Sequence, residues 1–247
     1  MSKRKSNIIY GIHPLIEAIE AGKDIDKILI QKGVHNEVYL KIRELVMGTS
    51  IPYQFVPAEK LKRITTKAHQ GVIAFVSPIA YYNIEDIVPA LYEAGKIPLI
   101  LILDGITDVR NIGAIARSAE CFGVHAIVVP VKGSAQLNED AVKSSAGALM
   151  RVPVCRDENL IRVIDYLKNS GLKIVSTSEK SEVALSDAEF TGPLAMIMGS
   201  EEKGVDQRLL SKSDLVLKIP MTGQVASLNV SVASGIVLYE VSMKRPG

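Results

Sequence analysis

The chain has 247 residues, 47% apolar and 23% charged, enough to bury a sizeable core and too apolar for a disordered chain. No apolar run reaches the length of a membrane span, and the start MSKRKSNIIYGIHP lacks the apolar stretch and cleavage site of a signal peptide, so a cytoplasmic protein is expected. The net charge of +2 is uneven: residues 1–77 carry 12 basic against 7 acidic residues, and residues 78–247 carry 17 against 20. A basic front is what a module that meets a polyanion has, although uneven surface charge alone gives the same count. Cys121 and Cys155 form no disulfide or metal pattern, and Cys121, among apolar helical neighbours, is expected to be a buried thiol.

Residues 8–77 read as a small α/β domain. Tyr10 to Pro14 is a turn into a helix over 15–21, closed by Gly22. KILIQ (27–31) is a short strand, and 36–47 a helix with Val38, Ile42, Leu45 and Val46 as its apolar stripe. A strand over 51–56, a basic helix over 58–64 and a strand over 71–76 follow. Lys60, Lys62, Arg63, Lys67, His69 and Gln70 form either a phosphate-contacting edge or a solvated helix end. Residues 77–82 read as a linker, and 83–94 as an amphipathic helix.

From residue 99 strands and helices alternate. LILIL (99–103) and LAMIM (194–198) are continuous apolar runs, as in strands buried on both faces of a parallel sheet. Between them come a helix over 111–122, a strand over 124–129, a helix over 138–149, a short strand at 152–154, a helix over 159–169 and a strand over 173–176. A short helix (205–210), a strand (214–219) and a helix (228–242) end the chain, giving an α/β sheet with helices on both faces.

Open α/β sheets bind ligands beyond the carboxyl ends of their strands. Three such ends stand out: Asp104 to Gly113, Gly199 to Gly204, and Pro220 to Ser227. No G-x-G-x-x-G follows a strand and no G-x-x-x-x-G-K-[ST] occurs, which argues against a Rossmann dehydrogenase and a P-loop NTPase. The absence of G-x-S-x-G argues against an α/β-hydrolase. Pro220 to Ser227 leads into a Ser/Asn helix start, which offers free N–H groups and a positive dipole end. It is either a binding loop entering a buried helix or an ordinary capped helix. Asn111 and Arg117 lie six apart, about 120° off a shared helical face. If they serve one site, Asn111 lies at the cap or in the preceding loop; otherwise Arg117 is an arginine reaching solvent.

Together, DGITDVRNIGAIARSAECFGV, MIMGSEEKGV and IPMTGQVASLNVSVASGIVLYE resemble the three motifs of the SpoU–TrmH family of 2′-O-ribose RNA methyltransferases, in the SPOUT class, over residues 98–242. YGIHPLIEAIEAG and HQGVIAFV resemble the L30e-like substrate-binding domain of the RlmB subgroup, which acts on a guanosine of 23S ribosomal RNA. The resemblance implies an L30e-like RNA-binding domain over 1–77, a linker and leading helix over 78–97, and a methyltransferase domain over 98–247. It implies a parallel sheet ending in a deep trefoil knot, an exception to the rule against threaded chains.

S-adenosylmethionine is then expected in the knot, with Gly199, Ile219 and Leu228 among its contacts. Asn111, Arg117, Glu201, Ser227 and Asn229 match the family's functional polar positions. A homodimer is implied, with the low-charge last helix and its Ser231, Ser234 and Gly235 at the contact, and no metal. Arg117 is the family's proposed activator of the ribose hydroxyl. Because a guanidinium stays protonated, it could instead pin a phosphate and stabilise the developing alkoxide. The rivals are a tRNA ribose methyltransferase, which lacks the extended N-terminal domain, and a catalytically idle RNA-binding module.

Overall fold

The computed structural model describes residues 8–33, 36–47, 49 and 51–245. Lys3, Arg4, Lys5 and His35, and the side chain of Val38, lie outside the described residues. The chain divides into two compact units, Met1–Ala80 and Tyr81–Gly247.

The first unit holds strands β1 (Ile8–Tyr10), β2 (Ile25–Gln31), β3 (Tyr53–Val56) and β4 (Val72–Val76) in the order β1-β4-β2-β3. β4 runs antiparallel to β1 and β2, whereas β3 pairs parallel with β2. Alternation along β2 separates two cores. Ile28 and Ile30 face α1 (Ile12–Glu20) and α2 (Asn36–Val46), where Leu15 and Ile42 meet them. Leu29 faces α3 (Ala58–Ile64) and packs with Val56, Leu61 and Ile73. Tyr10 belongs to β1, opposite Ile73, rather than to the expected turn. α1 starts at Ile12, three residues earlier than expected, because Pro14 sits in a first turn that needs no N–H from it.

The second unit is a parallel sheet of seven strands among the described residues: β5 (Tyr81–Tyr82), β6 (Leu99–Asp104), β7 (Ala126–Pro130), β8 (Val154–Asp157), β9 (Lys173–Thr177), β10 (Leu194–Gly199) and β11 (Leu215–Leu217). Their order is β11-β9-β10-β6-β7-β8-β5, so the two apolar runs lie side by side at the centre. On one face, α4 (Ile84–Glu93), α7 (Leu160–Asn169) and α8 (Gln207–Leu210) cover Ile100, Ile102, Ala195 and Ile197. α5 (Val109–Cys121) packs against α6 (Glu139–Ser144) and α9 (Val230–Lys244), and α9 also reaches β10.

Four further expectations are corrected. Residues 77–82 are not all linker, since Tyr81 and Tyr82 pair with β8 as an edge strand. The helix expected over 138–149 stops at Ser144. There the Ser144 and Ser145 hydroxyls donate back to the carbonyls of Asp140 (2.7 Å) and Val142 (2.8 Å), and Gly147 turns left-handed at φ 84°. Cys121 is exposed, one turn beyond the exposed Arg117 and off the face that buries Ile112, Ile115 and Ala119. The buried thiol is Cys155, whose pKa is pushed up to about 12, chiefly by burial. Lastly, Ser234 and Gly235 serve the chain's own packing. Ser234 is fully buried with its hydroxyl on Val230 O (2.7 Å), and a Cβ at Gly235 would lie 3.6 Å from Ser118 Oγ on α5.

Candidate active site

A cavity of about 400 Å³ opens at the carboxyl ends of β9, β10 and β11, within the size range of small-molecule sites. Gly199, Glu201, Ile219, Ser227 and Leu228, five of the residues singled out in the sequence, line it. Gly199 ends β10 opposite Asp104 of β6. A Cβ there would fall 2.0 Å from the Gly204 carbonyl carbon and 2.1 Å from the Val205 nitrogen, so the 199–205 turn can close only over a glycine. That turn is pinned by Gly204 N–H on Ser200 O (2.8 Å). Its far end is pinned by the backbone N–H of Asp206, which donates to the Asp104 carboxylate (2.7 Å). Burial raises the Asp104 pKa, and the same N–H opposes the rise.

Glu201 projects from this turn towards the start of α9. Its Oε1 accepts the Val230 backbone N–H (3.2 Å), the Asn111 side-chain amide (3.2 Å) and the Asn229 amide. Asn229 also donates to Asn111 Oδ1 (3.1 Å), which closes a triangle among three residues far apart in the chain. Asn229 caps α9 through Oδ1, which accepts from Ser231 N–H (2.9 Å) and Ser231 Oγ (2.5 Å). A carboxylate and a cap oxygen together satisfy the orphan donors of one helix end.

Asn111 is inside α5, the third residue after the cap Asp108, whose carboxylate accepts from Arg110 N–H (2.7 Å). It is therefore neither cap nor loop, yet it reaches the site because the first turn of α5 faces the 199–205 turn. Arg117 is exposed and makes no hydrogen bond or ion pair with the described residues. Glu201 thus fixes the two asparagines. A fourth wall of the cavity, Thr177 to Lys180 after β9, was not singled out in the sequence. Its only signal was its position at another strand end of the same sheet. Among the described residues no group of three or more His, Cys, Asp or Glu could hold a metal, and no helix is long and apolar enough to cross a membrane.

A parallel α/β sheet with a cavity at the carboxyl ends of its strands and an Asn–Glu–Asn cluster beside it is the arrangement of a small-ligand-binding α/β protein. The SpoU rRNA Methylase family matches residues 98–239, and the family of RNA 2′-O ribose methyltransferase substrate-binding domains matches residues 8–82. A protein assigned to the TrmH family of tRNA/rRNA methyltransferases from Staphylococcus epidermidis is 37% identical over 238 residues, covering 96% of each chain. YacO of Bacillus subtilis, of the same assignment, is 34% identical over 99% of this chain and 98% of its own. The crystal structure of an AdoMet-bound rRNA methyltransferase from Sinorhizobium meliloti superposes with a TM-score of 0.62 at 21% identity, covering 96% of this chain and 86% of that one. The chain belongs to the SpoU methyltransferase family.

Proposed function

We propose that this RNA methyltransferase transfers a methyl group from S-adenosylmethionine to the ribose 2′-hydroxyl of a guanosine in 23S ribosomal RNA, working in the cytoplasm as a homodimer. The observation that carries the reading is the Asn111–Glu201–Asn229 cluster at the rim of the strand-end cavity. The cavity fits a nucleoside-sized cofactor in volume. Gly199, Ile219 and Leu228 supply backbone groups and an apolar wall, and Glu201 and Ser227 supply polar groups. S-adenosylmethionine supplies an activated methyl group when bound.

A ribose hydroxyl is a weak nucleophile at neutral pH, so this chain's task is alignment and charge stabilisation. Alignment alone is worth roughly 7–11 kcal/mol. Asn111 and Asn229, each held by Glu201, present fixed amides with which to orient the nucleotide. Ser227 adds a hydroxyl at the cavity wall. Arg117 is exposed and lies about 120° round α5 from Asn111, outside the Asn111–Glu201–Asn229 cluster, so its role on the phosphate and the developing alkoxide rests on the family resemblance alone.

The trefoil knot belongs to the same reading. It is supported by the strand order, in which β11 is outermost while the next segment, 219–229, returns to start α9 beside α5. The dimer is supported by α9, which exposes Val232, Ile236, Tyr239 and Met243 at spacings of four, three and four on the side away from its buried Val230, Val237 and Val241. Ribosomal rather than transfer RNA is favoured by the whole additional domain ahead of the methyltransferase unit.

Labelled S-adenosylmethionine offered with undermethylated 23S RNA or with bulk tRNA tests the reading. Label in a guanosine 2′-O position of 23S RNA supports it. Label in tRNA alone replaces the substrate, and no transfer to either RNA leaves a non-catalytic binding module.

A further inference from the structure

The edge strand β3 carries an unusual surface. Its sequence YQFV has no charge, and it is the outermost strand of the first sheet, pairing only with β2 among the described residues. The strand is four residues long between Pro52 and Pro57, so its edge is blunted against further strand pairing and its side chains are what it presents. Here Tyr53 and Phe55 stand 43% and 40% exposed on one face. Tyr39 of α2 joins them: its ring centroid lies 5.5 Å from that of Phe55, which lies 6.2 Å from that of Tyr53. The rings are tilted at 53° and 89° rather than stacked, so they do not cover one another's faces.

The α2 charge nearest the rings is a cation. On α2, Arg43 follows Tyr39 by four residues and lies about 40° round the helix. Glu37 and Glu44 lie about 160° and 140° away, on the far side. At the other end of the ring row, the exposed Lys32 donates its N–H to Val56 O, the residue after Phe55. Exposed π-faces flanked by cations, with the α2 carboxylates turned away, match unpaired nucleotides, whose bases stack on rings and whose phosphates meet arginine and lysine. A protein partner or a second copy would bring apolar side chains and has no need of that charge sorting.

We infer that Tyr39, Tyr53 and Phe55, with Arg43 and Lys32, form a stacking platform for an unpaired stretch of the RNA substrate. This rests on the proposal that the substrate is RNA. The test uses the full chain, a fluorescein-labelled single-stranded oligoribonucleotide and an RNA duplex of equal length. Tyr53→Ala and Phe55→Ala are each expected to weaken single-strand binding by about ten- to a hundredfold. Duplex binding and the salt slope should stay unchanged. Arg43→Ala is expected to flatten the single-strand slope by about 0.7. Phe55→Leu keeps apolar packing against Tyr39 but removes the π-face, so it reports the same loss should an alanine variant fail to fold.

Wild-type binding of the single strand with no loss in the ring variants overturns the platform and spares the RNA reading. An oligomer that dissociates in those variants, seen by sedimentation velocity with RNA affinity intact, assigns the face to a second copy and also overturns it. A wild-type chain that binds neither RNA overturns both.

Discussion

Glu201 and Asn229 together cap the same helix. Glu201 takes the Val230 N–H at 3.2 Å from outside α9, and Asn229 takes the Ser231 N–H at 2.9 Å from the cap position, while the Asn229 amide donates to Glu201. The helix start and the polar site are therefore one hydrogen-bonded unit. Replacing Asn229 by alanine should cost about 1 kcal/mol of stability, the usual worth of a lost cap. Asn229→Ser keeps a cap oxygen but loses both amide donations, to Glu201 and to Asn111. Chemical denaturation should show the serine variant close to wild type, and methyl-transfer assays should show both variants impaired. Full activity in Asn229→Ser would remove the amide from the mechanism.

Gly199→Ala tests the backbone approach at the cavity. The added methyl would sit 2.0 Å from a carbonyl carbon, and neither the Gly204 backbone nor the Val205 nitrogen has a rotamer with which to yield. The 199–205 turn must open, so cofactor binding should be lost by calorimetry. Denaturation should show a cost of roughly 1–3 kcal/mol, as for an overpacked core position. Wild-type affinity would mean the turn is not the cofactor wall.

Much of this was legible in advance because continuous apolar runs mark central parallel strands. LILIL and LAMIM are neighbours at the sheet's centre, and their carboxyl ends carry Asp104 and Gly199. What stayed hidden depends on contacts made at long range. Thr177 to Lys180 reads as an ordinary polar loop, and only the β9–β10 register, Leu194 opposite Lys173, brings it beside Gly199. The tie from Asp206 to Asp104 spans 102 residues and leaves no periodic trace. The helix break after Ser144 went unread because two serine hydroxyls there turn back onto carbonyls, which a 3.6-residue pattern does not record. The proposed knot and the proposed roles of Arg117 and Ser227 rest on family resemblance, and geometry by itself would not have named them.

Arg117→Ala should leave both folding and cofactor affinity unchanged, because the side chain is exposed and makes no hydrogen bond or ion pair with the described residues. Transfer should fall by at least about 100-fold if the guanidinium stabilises charge that develops only in the transition state. Calorimetry with S-adenosylmethionine and single-turnover methylation separate the two effects. A large loss of cofactor affinity would move Arg117 from the nucleotide to the cofactor.

His125 gives a pH dependence with a definite sign. Its Nδ1 accepts the Leu99 N–H at 3.1 Å, at the foot of the central strand β6, so the ring must be neutral at that nitrogen. Burial, then Lys96 and Arg245, lower its pKa below the ordinary value of 6.5, and an N–H accepted at Nδ1 likewise favours the neutral ring. The unfolded chain therefore binds this proton at a higher pH than the folded chain does. The His125 contribution to stability is fully present above about pH 6.5 and is lost as pH falls from there through the lowered folded value. Urea midpoints measured across that window should drop on acidification. In His125→Gln, whose amide oxygen can still accept from Leu99 but does not titrate, the drop should be smaller. An equal drop in both proteins would assign the acid sensitivity to other groups.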